Sequence, residues 1–125
     1  MTPEKTEQLI KKYPNIFKET FWFECDDGWF NIIDTLCSNI QHHLNNNPDV
    51  EPVLALQVKE KFAGLRFYIY GGDDTIDRLI NDTESISLNV CEACGEPGTV
   101  KNRNHWLLCR CDNCYQEQID VMSKD

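Results

Sequence analysis

The chain has no long apolar run. Nothing in its 125 residues approaches the roughly 20 consecutive apolar residues that cross a bilayer, so no membrane span is expected. The first residues, Met1 to Gln8, hold no apolar stretch of the kind a secretory signal carries. The expectation is therefore a cytoplasmic protein.

A basic surplus is also missing. The chain carries 12 Lys and Arg against 21 Asp and Glu, a formal charge of −9. Residues 1–50 hold four basic and eight acidic side chains, residues 51–90 four and seven, and residues 91–125 four and six. No segment is net basic. Proteins that grip nucleic acid by its phosphates do so with Lys and Arg, so direct nucleic-acid binding is not expected. An acidic surface suits a basic partner surface, or simply keeps the chain soluble.

Signatures of catalysis are absent as well. There is no G-x-S-x-G elbow, no H-E-x-x-H and no P-loop. The acid pairs Asp26/Asp27 and Asp73/Asp74 stand where helix caps are expected, and capping accounts for them. No nucleophile–base pair stands out, which points away from an enzyme.

What the chain does have is cysteine, seven in all. Four form two C-x-x-C pairs, Cys91/Cys94 and Cys111/Cys114, with sixteen residues between them. In a reducing compartment this spacing reads as a zinc site: each pair supplies two thiolates and the intervening hairpin folds back to bring them together. Four thiolates fill the tetrahedron, so the expected ion is one structural Zn2+ with no open position for water. Cys109 is an alternative to Cys111, and His105 a weaker one. A redox C-x-x-C would need a thioredoxin-like context that the sequence does not show.

Periodicity sketches the rest. Thr2-Pro3-Glu4 reads as a helix start, with the helix running to about Lys12 before Pro14. Residues 16–24 are aromatic and extended, to be buried in the core or displayed as a patch. Trp29, Ile32, Ile33, Leu36, Cys37, Ile40 and Leu44 share one face of a long helix capped by Asp26 or Asp27. His42 and His43 near its end are read as surface residues. Val53–Val58 and Leu65–Tyr70 form a hairpin whose connection runs from Lys59 to Gly64, with a positive φ available at Gly64. Asp73-Asp74-Thr75 starts a helix along Ile76, Leu79, Ile80 and Thr83. Beyond Cys94, Gly95 is expected at a positive φ and Glu96–Thr99 as a type II turn. Short strands 99–101 and 105–108 follow, then a helix capped by Asp112 with Tyr115, Ile119 and Met122 as its stripe.

The expected fold is thus α+β: helices packed on a β-hairpin, with a C-terminal zinc-ribbon-like hairpin held by four cysteines. Residues 1–88 would form the helix/hairpin domain and 89–125 the zinc module.

Several of these segments together resemble a family of small phage and prophage proteins. The likeness rests on Cys25-Asp-Asp-Gly-Trp29, on Lys59-Glu-Lys-Phe-Ala-Gly-Leu-Arg-Phe-Tyr68, on Cys91-x-x-Cys-Gly-x-Pro-Gly98 and Trp106, and on Cys111-x-x-Cys114, and it covers about residues 13–115. The family pattern reads KFGGLRFY where this chain has Ala63, and Cys109 is extra. The resemblance implies a phage origin and action in the host bacterial cytoplasm. By analogy with other small acidic phage proteins, it implies a protein-binding inhibitor of a host defence factor such as a CRISPR effector, with acidic mimicry of nucleic acid as one route. The candidate contact residues are Lys59, Lys61, Phe62 and Arg66 at the hairpin tip, with Phe21-Trp22-Phe23 as a further choice. The alternative is a nucleic-acid-binding zinc ribbon using Lys101, Arg103, His105 and Arg110.

Overall fold

The Thr2 side chain accepts the N–H of Lys5 and starts helix α1, Pro3–Lys12, with Pro at the first helical position where its missing N–H costs nothing. Leu9 is its fully buried contact. The computed structural model describes residues 1–123, and side chains through residue 118. The chain then crosses the core through Ile16, Phe17 and Phe23, all buried. Phe17, Phe21 and Phe23 pack with ring centroids about 5 Å apart, and Phe67 joins them at 6.2 Å. Such tilted and edge-on contacts suit the charge distribution of the rings. The aromatic segment is therefore core, except for Trp22, which is exposed.

Strand β1, Phe23–Glu24, pairs in parallel with strand β2, Glu51–Lys61. Between them a short 3-10 turn, Asp27–Trp29, leads into helix α2, Phe30–Asn46. Trp29, Ile33, Leu36, Cys37 and Ile40 are buried at helical spacing. The expected cap is not made: Asp26 precedes the turn but its side chain takes no capping bond. Its carboxylate pairs with Arg110 instead.

β2 pairs antiparallel with β3, Gly64–Gly72. The hairpin is longer and its turn tighter than expected. Two residues, Phe62 at φ 52° and Ala63 at φ 72°, carry the reversal, and Gly64 has no positive φ. This is a primed hairpin turn, which matches the right-handed twist of the strands. Helix α3, Asp74–Ser87, starts on a true cap, with Asp73 accepting the N–H of Ile76 at 3.0 Å. His43 does not stand alone on the surface. Its Nε2 lies 2.8 Å from the Asp73 carboxylate, which ties the end of α2 to the start of α3. α3 also closes the edge of the sheet: Ser87 Oγ accepts the N–H of Leu65 and Glu84 accepts that of Phe67, both at 2.9 Å. An edge closed in this way cannot recruit another strand at those positions.

The sheet is covered on one face only. Val53, Ala55, Val58, Leu65 and Phe67 point into the core shared with α2 and α3. Leu56, Tyr68 and Tyr70 stand on the other face, exposed.

A second hairpin follows, β4 (Thr99–Arg103) and β5 (Trp106–Arg110), and then helix α4, Asp112–Ser123. Its turn is Asn104–His105, both at positive φ. The expected type II turn at 96–99 is not formed, because Gly98 has no positive φ. Gly98 instead lets Cys91 approach: a Cβ there would lie 2.8 Å from the Cys91 nitrogen. Asp112 is the first residue of α4, not its cap, and pairs with Lys101 Nζ at 3.1 Å. The side chains of Ile119 and Met122 lie outside the described residues. The architecture is α+β, as the sequence suggests. Among the described residues no helix is long and apolar enough to cross a membrane.

Candidate metal centre

Cys91 and Cys94 lie on the loop after α3. Cys111 follows β5 directly, and Cys114 sits in the first turn of α4. The register of β4 on β5, from Thr99↔Arg110 to Arg103↔Trp106, brings the two ends of the loop together. All four sulfurs lie within 4.8 Å of one another. Cys94 Sγ and Cys111 Sγ are 3.7 Å apart. A tetrahedron with metal–sulfur bonds of about 2.3 Å has an edge of about 3.8 Å, so this spacing is that of ligands around an ion and far longer than a disulfide.

The backbone prepares the site for thiolates. Gly95 takes φ 84°, as expected, and its N–H bonds the Cys91 carbonyl at 2.9 Å. Cys91 is wholly buried, which disfavours its charge. The N–H groups of Cys111, Cys94 and Ala93 more than offset that burial and bring its thiol down to about 7. The N–H of Cys114 points at Cys111 Sγ at 3.4 Å, from the positive end of α4. Cys94 is exposed, and Cys111 and Cys114 are half-buried. Four sulfurs with directed N–H donors fit a closed structural metal site.

Cys109 is not part of it. It is wholly buried, and its Sγ faces the carbonyls of Ser87, Leu88 and Val90 at 3.2–3.3 Å. Cys25 and Cys37 are likewise buried, where loss of solvation raises both thiols, Cys25 to about 12. His105 lies in the hairpin turn.

The residues that seat the centre on the rest of the protein were not visible in the sequence. Gly28 N–H donates to the Glu92 carbonyl at 2.7 Å, and the Trp29 indole N–H to the Val90 carbonyl at 2.9 Å. Arg110 is buried, with Nη1 on Glu92 at 3.1 Å and Nη2 on Asp26 at 3.3 Å. The other Glu92 oxygen accepts the Asp26 N–H at 3.0 Å. The pieces Asp26-Asp27-Gly28-Trp29 and Cys91–Cys94 are thus two halves of one clamp. The cysteine pair lies over sixty residues from Asp26-x-Gly28-Trp29 in the sequence, so no local signal joins the two.

The candidate contact residues fall at one end of the sheet. Lys59 and Arg66 are cross-strand partners on the uncovered face, while Lys61 and Phe62 are at the exposed tip. Their neighbour Trp22 belongs to the further choice named from the sequence, whereas Leu54, Leu56, Tyr68 and Tyr70 were missed. The signal was present: Leu65–Tyr70 is rich in large apolar and aromatic groups on both faces, and only one face can be covered. No family profile, curated protein or solved structure matches this chain.

Proposed function

We propose that this is a zinc-stabilised protein that acts by binding another protein, and that its phage-like motifs point to a bacterial defence factor, such as a CRISPR effector, as the partner it inhibits. The observation that carries the binding reading is the uncovered face of the sheet. Leu56, Tyr68, Tyr70 and Trp22 stay exposed there and Phe62 is 70% exposed at its end, which gathers on one surface five of the nine large apolar side chains exposed among the described residues. Contiguous exposed apolar surface of this kind marks interaction sites. Zinc is favoured over other ions by four thiolates in tetrahedral spacing. With no open position it would hold the β4–β5 hairpin in place and take no part in chemistry.

In the alternative, a nucleic-acid-binding ribbon, two of the four residues it would use are already engaged. Arg110 is buried against Glu92 and Asp26, and Lys101 is paired with Asp112. The test is to reconstitute candidate effectors with the purified chain. Complex formation together with loss of effector activity is expected. Tight binding of bare nucleic acid by the chain alone, with no protein partner, overturns the reading in favour of the ribbon.

A further inference from the structure

The uncovered face has a sign, and it is opposite to that of the chain. The register sets Leu54 opposite Tyr70, Gln57 opposite Tyr68 and Lys59 opposite Arg66, and directly opposed residues share a face. Trp22, Leu54, Leu56 and Tyr68 line one groove of about 630 Å³, with Lys18 and Glu24 as its charged members. Glu24 accepts the Gln57 amide at 2.8 Å and keeps its charge, so within the groove it balances Lys18 and the positive surplus comes from the far end. Beyond the groove lie Lys59 and Arg66, then Lys61 at the tip, its Nζ 5.8 Å from the centre of the Phe62 ring. The acid between those lysines, Glu60, is turned into the hairpin, where it accepts the Ala63 N–H at 2.8 Å. Four of the chain's 12 basic side chains therefore edge this one apolar surface, although the net charge is −9.

On the reading that the protein works by binding, we infer that this face takes an acidic amphipathic protein segment. The segment's apolar side chains fill the groove, and its carboxylates meet Lys59, Lys61 and Arg66. Charge complementarity sets the partner's sign. Single-stranded nucleic acid fits less well, for three reasons: leucines occupy the groove between the aromatics, the cations gather at one end instead of following the groove, and the chain as a whole repels phosphate.

The test selects a random-peptide display library on the folded full-length protein. Selected peptides are then synthesised and their affinity measured by fluorescence anisotropy. Peptides pairing Asp or Glu with Trp, Phe or Leu are expected. Their affinity should drop about tenfold or more for Leu56→Ser/Tyr70→Ser and for Lys59→Glu/Arg66→Glu. It should be unchanged for Ile86→Ser, an exposed residue of α3, and circular dichroism should show every variant folded. Selection of basic peptides, or peptides indifferent to both double variants, overturns the inference. So does tighter binding of an oligo(dT) strand that Tyr68→Ser/Tyr70→Ser abolishes, or a sedimenting dimer that Leu56→Ser dissolves. An effector captured equally by wild type and both double variants also overturns it, while leaving the binding function intact. Acidic peptides on this face, with no inhibition of any effector, overturn the inhibitor reading instead.

Discussion

The Glu92 carbonyl occupies the space into which any side chain on Gly28 would project. A Cβ built on Gly28 lies 2.4 Å from that oxygen and 2.2 Å from the Cys91 carbonyl oxygen. The metal loop is thus pressed backbone to backbone against the turn before α2. Gly28→Ala should force the two apart, breaking the 2.7 Å bond between Gly28 and Glu92. A cost on the order of 3 kcal/mol or more is expected in chemical denaturation, since neither backbone can yield cheaply. Gly64→Ala is the control. Its nearest contact is the tip of Arg66 at 3.1 Å, a flexible group, so a change within about 1 kcal/mol is expected.

Metal content separates the cysteines. One zinc per chain is expected by elemental analysis of reduced protein, and removal by a strong chelator should unfold the β4–β5 hairpin. Cys91→Ser should lower occupancy and stability together. Cys109→Ala should keep full occupancy, because Cys109 Sγ faces backbone carbonyls and is not one of the four clustered sulfurs. It should still lose about 1–2 kcal/mol from the cavity it leaves. Loss of metal in Cys109→Ala with full retention in Cys111→Ala would show that the ligand set is wrong.

The Arg110–Glu92 pair is buried, while the second partner, Asp26, is exposed, so breaking the pair with Glu92 should matter more than breaking a surface pair. Arg110→Met leaves Glu92 facing Asp26 without a cation and should cost roughly 3–5 kcal/mol. Glu92→Gln keeps an acceptor for the Asp26 N–H and removes one negative charge. The double variant should therefore be more stable than Arg110→Met alone. Additive losses in a thermodynamic cycle would show that the charges act independently.

The contrast between Asp73 and Asp26 shows how far the sequence could be read. Asp73 caps α3 through a bond to Ile76, three residues away, so its role was legible locally. Asp26 stood in an equally good capping context, but its partner Arg110 is 84 residues distant. Pairings of that kind follow from tertiary contact and leave no local trace. The same holds for His43 and Asp73, and for the seat of the metal loop on Gly28. The four clustered cysteines were legible because their spacing alone implies convergence, and only geometry could exclude Cys109. The hairpin was legible as two strands. Its turn was not, because Phe62-Ala63 lacks the Asn or Gly that such a turn prefers.

That turn offers a test in which stability and function move in opposite directions. Phe62 sits at φ 52°, a left-handed conformation that costs a residue with a side chain about 1–2 kcal/mol and that Asn tolerates far better. Its ring is largely exposed and so returns little burial energy to the fold. Phe62→Asn should therefore raise stability, by about 0.5–1 kcal/mol in denaturant melts. A residue kept in a strained backbone position without stabilising the fold is expected to serve binding. The same variant should weaken partner or acidic-peptide binding severalfold. Ala63→Gly relieves the neighbouring strain at φ 72° but also removes a buried methyl, so its effect on stability should be small and binding should be kept. If Phe62→Asn stabilises the protein and leaves binding untouched, the tip is a turn and nothing more, and the contact surface must end at Lys59 and Arg66.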